Sequence, residues 1–160
     1  MTESENALAL EFDTLRESLI KHYDEKRMRA SGNWAKELEA RVEGLSASIW
    51  GLSYSDQLEH GRTPTSSSPK TGPITLRQAI EAWIDEKNIT PKDDISTSSL
   101  AFLIARKIHR EGWSRDKYDG TKLISEVITP QLIQGIIDRV SYFQISTFSS
   151  EIIRIFRNTA

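Results

Sequence analysis

The sequence predicts an α+β fold: an N-terminal helix, a β-hairpin or small antiparallel sheet, then several C-terminal helices packed on it. Three patterns predict it. Apolar residues recur at helical spacing through the first two dozen positions. The period then drops to two around Leu38–Val42. From Thr75 onward, apolar stripes at helical spacing follow one another behind residues suited to capping. A chain of 160 residues fits one domain and can bury roughly 70% of its unfolded surface.

In the first helix, Leu8, Phe12, Leu15, Leu19 and Tyr23 form the stripe and Ile20 widens it, while Glu11, Asp13, Arg16, Glu17 and Lys21 face away. The turn-forming Ser31-Gly32-Asn33 cluster ends it. In the segment Trp34–Glu43, Leu38, Ala40 and Val42 alternate with Glu39, Arg41 and Glu43, as in a half-buried strand. Gly44 allows a turn, and Ser46–Leu52 reads as the second strand, with Ala47, Ile49 and Gly51 on one face and Trp50 on the other. A lone hairpin is marginal in water, so it must pack on a helix or join strands from a neighbour.

Residues 61–73, rich in Pro, Ser, Thr and Gly, read as an exposed loop. Thr75 caps a helix whose stripe is Leu76, Ala79, Ile80, Trp83 and Ile84, ended by Thr90-Pro91. Ser96–Ser99 supply a cap for the next, with Leu100, Leu103, Ile104 and Ile108 as the buried stripe and Gly112 as its C-terminal stop. Thr129-Pro130 starts another, faced by Leu132, Ile133, Ile136, Ile137, Val140 and Phe143. Residues 130–157 are compatible with one long helix or with two.

Composition narrows the function classes. With 21 Lys+Arg against 23 Asp+Glu, the net charge of −2 gives no broad nucleic-acid footprint. The absence of cysteine removes disulfides and thiolate zinc sites and fits a reducing compartment. The acidic start lacks the basic-then-apolar pattern of a signal peptide, and no run approaches the ~20 apolar residues of a membrane span. No membrane partner is expected.

Candidate chemistry is sparse. His22, His60 and His109 do not share a spacing that puts two ligands on one helical turn. His22 and His109 read as helix-face residues, and His60, beside Glu59, has no nucleophile motif to serve. Asp93-Asp94 and the Asp116–Asp119 stretch lack the alternating oxygen ligands of a calcium loop. No Gly-rich phosphate cradle follows a strand. Neither catalysis nor a cofactor nor a metal is expected. Arg106, Lys107 and Arg110, with Trp113 and Arg115 beyond, are the candidate nucleic-acid surface, although cations near a helix C-terminus also offset its dipole. Of the four tryptophans, Trp83 fits a core stripe, while Trp34 and Trp113 sit beside turns, where the ring can anchor an interface; core packing is the default expectation for each.

Three stretches in order carry a family resemblance: Ala30-Ser31-Gly32-Asn33-Trp34-Ala35-Lys36-Glu37-Leu38, then Tyr54 to Thr65 with its Leu58-Glu59-His60-Gly61-Arg62-Thr63-Pro64 core, then Leu100-Ala101-Phe102-Leu103-Ile104-Ala105-Arg106-Lys107-Ile108-His109-Arg110-Glu111-Gly112. Over roughly residues 30 to 130 the chain resembles the minor tail, or tail-completion, proteins of bacteriophages and prophages. The resemblance implies an α+β virion subunit, assembled in the host cytoplasm, that forms a homo-oligomeric ring at the head–tail neck. There it would join portal or connector to tail and meet other neck, portal or tail proteins. Within that expectation, Arg62, Pro64 and Pro69 on the loop, with Trp113, Arg115 and Tyr118, are the contact candidates. Arg106, Lys107 and Arg110 are candidates for non-specific contact with genomic DNA in a lumen. The rival expectation is a small helical nucleic-acid-binding regulator using that basic helix surface.

Overall fold

A computed structural model describes residues 2–65, 74–92, 94–115 and 120–158. The architecture is α+β: α1 (Glu3–Glu25), α2 (Asn33–Lys36), β1 (Glu39–Glu43), β2 (Ser46–Trp50), α3 (Ser55–His60), α4 (Leu76–Glu86), α5 (Thr97–Glu111) and α6 (Pro130–Asn158). The chain forms two compact units. The first holds Met1–Lys26, Trp34–Leu52 and Leu123–Ala160, and the second holds Arg27–Asn33 and Ser53–Lys122.

In the first unit, α1 starts on a reciprocal cap. The Thr2 hydroxyl accepts from the Glu5 amide, and the Glu5 carboxylate accepts from the Thr2 amide. Leu8, Leu15, Leu19 and Tyr23 are buried along it, while Phe12 and Ile20 lie half-buried at the stripe's edge. The hairpin packs on α1, so its apolar face is covered within the chain. β1 and β2 pair antiparallel from Glu39 opposite Trp50 to Glu43 opposite Ser46. The two-residue turn puts positive φ on Gly44 and not on Leu45, as a type II′ turn requires. Ala40, Val42, Ala47 and Ile49 face inward. On the outer face the Arg41 guanidinium sits 4.7 Å above the Trp50 ring and pairs with Glu39 at 2.6 Å.

The expected strand begins later than its alternation suggests, because residues 33–36 form one helical turn. That turn drives Trp34 into the core, 1% exposed and stacked 4.8 Å from Tyr23. Trp34 is therefore a core residue, its default expectation, and the interface alternative falls away. Helix α6 packs antiparallel on α1, with Arg139 forked onto Glu11. Thr129 caps α6, its hydroxyl accepting from the Leu132 amide at 3.2 Å. The helix then runs unbroken for 29 residues, because no glycine or proline follows Gly135 to stop it.

In the second unit, α4 and α5 bury Ile80, Ile84, Ala101 and Ala105 against one another, with Leu76, Leu100, Ile104 and Ile108 around them. Both predicted caps form: Thr75 exchanges hydrogen bonds with Gln78, and the Ser96 hydroxyl accepts from the Ser99 amide. Two stripe assignments are corrected. Ala79 and Trp83 lie on the exposed side of α4, with Trp83 42% exposed. Leu103 is 52% exposed, and Ala101 and Ala105 take its place in the seam. The α5 side of the contact is made by Ala101 and Ala105 with Leu100, Ile104 and Ile108, and Leu103 lies on the other side of the helix. Helix α4 also ends at Glu86, before the Thr90-Pro91 stop.

Candidate interaction surface

The second and third resemblance stretches meet in the second unit. Residues 54–60, an unassigned segment in the sequence reading, form the short helix α3. Six residues are too few for an independent helix, so its ends must be held from outside. Gly61 stops it at φ +85°, ψ −168°, and the Gly61 amide donates to the Gln57 carbonyl at 2.9 Å. Helix α5 stops on Gly112 at φ +77°, ψ −173°, whose amide donates to the Ile108 carbonyl at 2.8 Å.

The residue after each glycine then pairs with the residue after the other. The Arg62 amide donates to the Trp113 carbonyl at 2.6 Å, and the Trp113 amide donates to the Arg62 carbonyl at 2.7 Å. The glycines themselves sit against this bridge. A β-carbon on Gly61 would lie 2.4 Å from the Trp113 oxygen, and one on Gly112 would lie 2.5 Å from the Arg62 oxygen and 3.0 Å from Pro64 Cδ. No side chain fits either place, and both backbone conformations belong almost solely to glycine. The Thr65 amide adds a bond to the His109 carbonyl at 3.0 Å, satisfying one of the orphan acceptors at the end of α5.

The far side of α3 is clamped as closely. The Thr121 amide donates to the Glu59 carbonyl at 2.8 Å, and its hydroxyl donates to the Leu58 carbonyl at 2.6 Å. Gly120 passes so near the Glu59 carbonyl that a β-carbon there would overlap it. Glu59 and Thr121 are buried at 6% and 2% exposure.

This framework brings three of the predicted contact residues together. Arg62, Pro64 and Trp113 share the bridge, and Arg62, Pro64 and Trp113 are all exposed, with Arg115 exposed two residues further on. Pro69 and Tyr118 lie outside the described residues. The start of the 61–73 loop is thus ordered by the end of α5, and its remainder, from 66, lies outside the described residues as well. Arg106, Lys107 and Arg110 are exposed on one side of α5. Arg110 pairs with Glu111 at 2.6 Å. That bond, helped by the field of Lys107, holds the Glu111 carboxyl below the usual glutamate range. The patch therefore carries its own counter-charge.

The histidines separate. His60 Nδ1 lies 3.1 Å from Asp56 on an exposed turn. His22 is not merely a helix-face residue: its Nε2 lies 3.0 Å from Glu126, which also takes Lys26 Nζ at 2.9 Å. Among the described residues no group of three or more His, Cys, Asp or Glu could hold a metal ion, and no helix is long and apolar enough to cross a membrane. No family model, no curated protein and no solved structure matches the chain.

Sequence reasoning missed the reciprocal glycine bridge, the Thr121 clamp and Glu126. Each glycine is legible alone as a turn or helix stop. Their pairing is not, because it joins positions some fifty residues apart and leaves no periodic trace.

Proposed function

We propose that this protein is a non-enzymatic structural subunit of a bacteriophage virion at the head–tail junction, assembling as a ring that joins portal or connector to tail. One observation carries the reading. The Tyr54–Thr65 and Leu100–Gly112 stretches, on which the resemblance to tail-completion proteins rests, interlock through Gly61, Gly112 and the Arg62–Trp113 bridge. The two stretches build one element that neither forms alone, which supports reading them together. Its outer surface offers groups suited to a neighbouring subunit. The Arg62 guanidinium has the forked geometry that grips a carboxylate, and Trp113 is a large ring left 41% exposed.

The test is incorporation. Purified particles should contain the chain in a fixed multiple per virion, and Arg62→Ala with Trp113→Ala should lower incorporation while leaving the subunit folded. A protein abundant in infected cells yet missing from purified particles would overturn the proposal.

The co-exposure of Arg106, Lys107 and Arg110 favours a second reading, duplex-DNA binding through α5. Three phosphate contacts would give affinity falling with salt at a log–log slope of about −3. Replacing all three by Ala should abolish both the binding and the slope. Incorporation into particles unaffected by that triple change would favour the virion reading over this one.

A further inference from the structure

Helix α6 has two apolar faces, and among the described residues the chain covers one of them. Ile136 (4% exposed) and half-buried Ile133 and Val140 mark the side toward α1, with Phe143 at its margin, 38% exposed. At 3.6 residues per turn, Ile137, Ile145, Phe148 and Ile152 fall about 130° around the helix from that side. They are 50%, 66%, 66% and 36% exposed. Ile155 and Phe156 carry the same stripe to the helix end at 58% and 70% exposure. An ordinary surface helix is polar on the side away from its support, and this one is not.

We infer that this outer stripe is a self-association surface, and that its occupant is the same stripe of a second copy. Three features select a second copy. The first is spacing. Positions 145, 148, 152 and 155 alternate steps of three and four, the spacing of a helix–helix seam. The spacing is identical read from either end, so in an antiparallel pair related by a twofold axis an apolar residue of one copy falls opposite an apolar residue of the other at every seam position. The second is area. Taking roughly 200 Å² for each large apolar side chain, the first four expose about 400 Å² and the stripe's continuation brings it past about 500 Å². A standard interface buries about 800 Å² per partner, and in homodimers about 65% of that is apolar, so the stripe supplies the apolar share of one such interface. The third is charge. Gln144, Ser141 and Ser149 flank the seam with neutral groups, and over 144–158 Arg154 and Arg157 face only Glu151. A helix built for an anionic lipid surface carries a strongly cationic polar face, and this one lacks it.

The inference stands apart from the virion reading, since it concerns α6 and the copy it pairs with. Sedimentation equilibrium of the full chain tests it. The wild type should self-associate at micromolar concentration. Phe148→Glu should weaken association by roughly a hundredfold or more, because two copies of the change lie in each pair. Ile145→Gln with Ile152→Gln should do the same by a milder route. The double variant should keep wild-type helical circular dichroism and thermal midpoint, because Ile145 and Ile152 lie off the α1 face; Phe148 borders Thr2 and Ser4 at the start of α1, so the double variant decides the outcome where Phe148→Glu also lowers the midpoint. Larger assemblies that either variant reduces to monomer also support the inference. A wild type that stays monomeric at high concentration, association indifferent to these changes, or a monomer that binds phosphatidylserine vesicles through the stripe would overturn it.

Discussion

Replacing Gly112 by Ala is the sharpest probe of the framework behind the candidate surface. At φ +77°, ψ −173° a β-carbon costs about 1–3 kcal/mol in backbone strain alone. It would also lie 2.5 Å from the Arg62 carbonyl oxygen, a backbone atom that cannot swing aside. Relief requires the Arg62–Trp113 bridge to open, losing two backbone hydrogen bonds at about 0.5–1.5 kcal/mol each. The combined loss is about 2–6 kcal/mol, equivalent to a fall in thermal midpoint of about 4–24 °C for a chain of this size. Gly44→Ala is the matched control. Gly44 also has a left-handed φ, +60°, but nothing lies within 4 Å of an added β-carbon, so the cost is about 1–2 kcal/mol. Urea and thermal unfolding followed by circular dichroism measure the difference, and amide exchange at Arg62, Trp113 and Thr65 locates it. If Gly112→Ala loses no more stability than Gly44→Ala, the close approach plays no structural part and the reasoning fails.

Three further outcomes follow from named contacts. Thr75→Ala removes one half of the reciprocal cap on α4, where the Thr75 hydroxyl accepts from the Gln78 amide and Gln78 Oε1 accepts from the Thr75 amide at 2.9 Å; a loss of about 1 kcal/mol is expected in urea unfolding. Ile84→Ala empties a site that is 1% exposed between α4 and α5, and the loss should reach about 2–5 kcal/mol. The Arg139 guanidinium holds the Glu11 carboxyl below the usual glutamate range, so this pair's contribution is complete above the unfolded glutamate pKa near about 4.3 and is lost as pH falls through the lower folded value. Thermal midpoints scanned downward from neutral pH should drop less steeply in Glu11→Gln than in wild type; equal slopes would rule the pair out as a source of acid sensitivity.

The fold was legible where a local rule decides it. Thr75, Ser96 and Thr129 cap where their side chains can reach an amide three residues on, and Gly44 turns the hairpin where φ must be positive. What escaped was decided by distant partners. Leu103 matches its helix's apolar period as well as Ala101 does, but the side of α5 that meets α4 carries Ala101, Ile104, Ala105 and Ile108. Trp34's place beside a turn leaves an interface open until α2 turns it onto Tyr23. The continuity of α6 hung on whether hydroxyl-rich residues 141–150 break a helix; Ser and Thr are only mildly unfavourable inside one, and no Gly or Pro joins them there. Of the candidate contacts, Arg62 and Trp113 were each identifiable as residues beside a turn. That they hydrogen-bond to one another depends on two glycines with no sequence signal linking them.

Exposed apolar side chains alone do not argue for a partner, because more than half of any folded surface is apolar. The second unit illustrates this. Trp83, Phe102 and Leu103 are exposed, yet each lies on its helix outside the cluster that α4 and α5 bury between them. The outer stripe of α6 differs because its members, with exposed Tyr142 and Ile153 beside them, make a continuous apolar surface over several turns. Random surface exposure would scatter apolar residues around the helix. A stripe held in register on the side opposite the supporting helix needs a second helix to explain it, and a copy of the same helix is the one partner whose spacing matches it by construction.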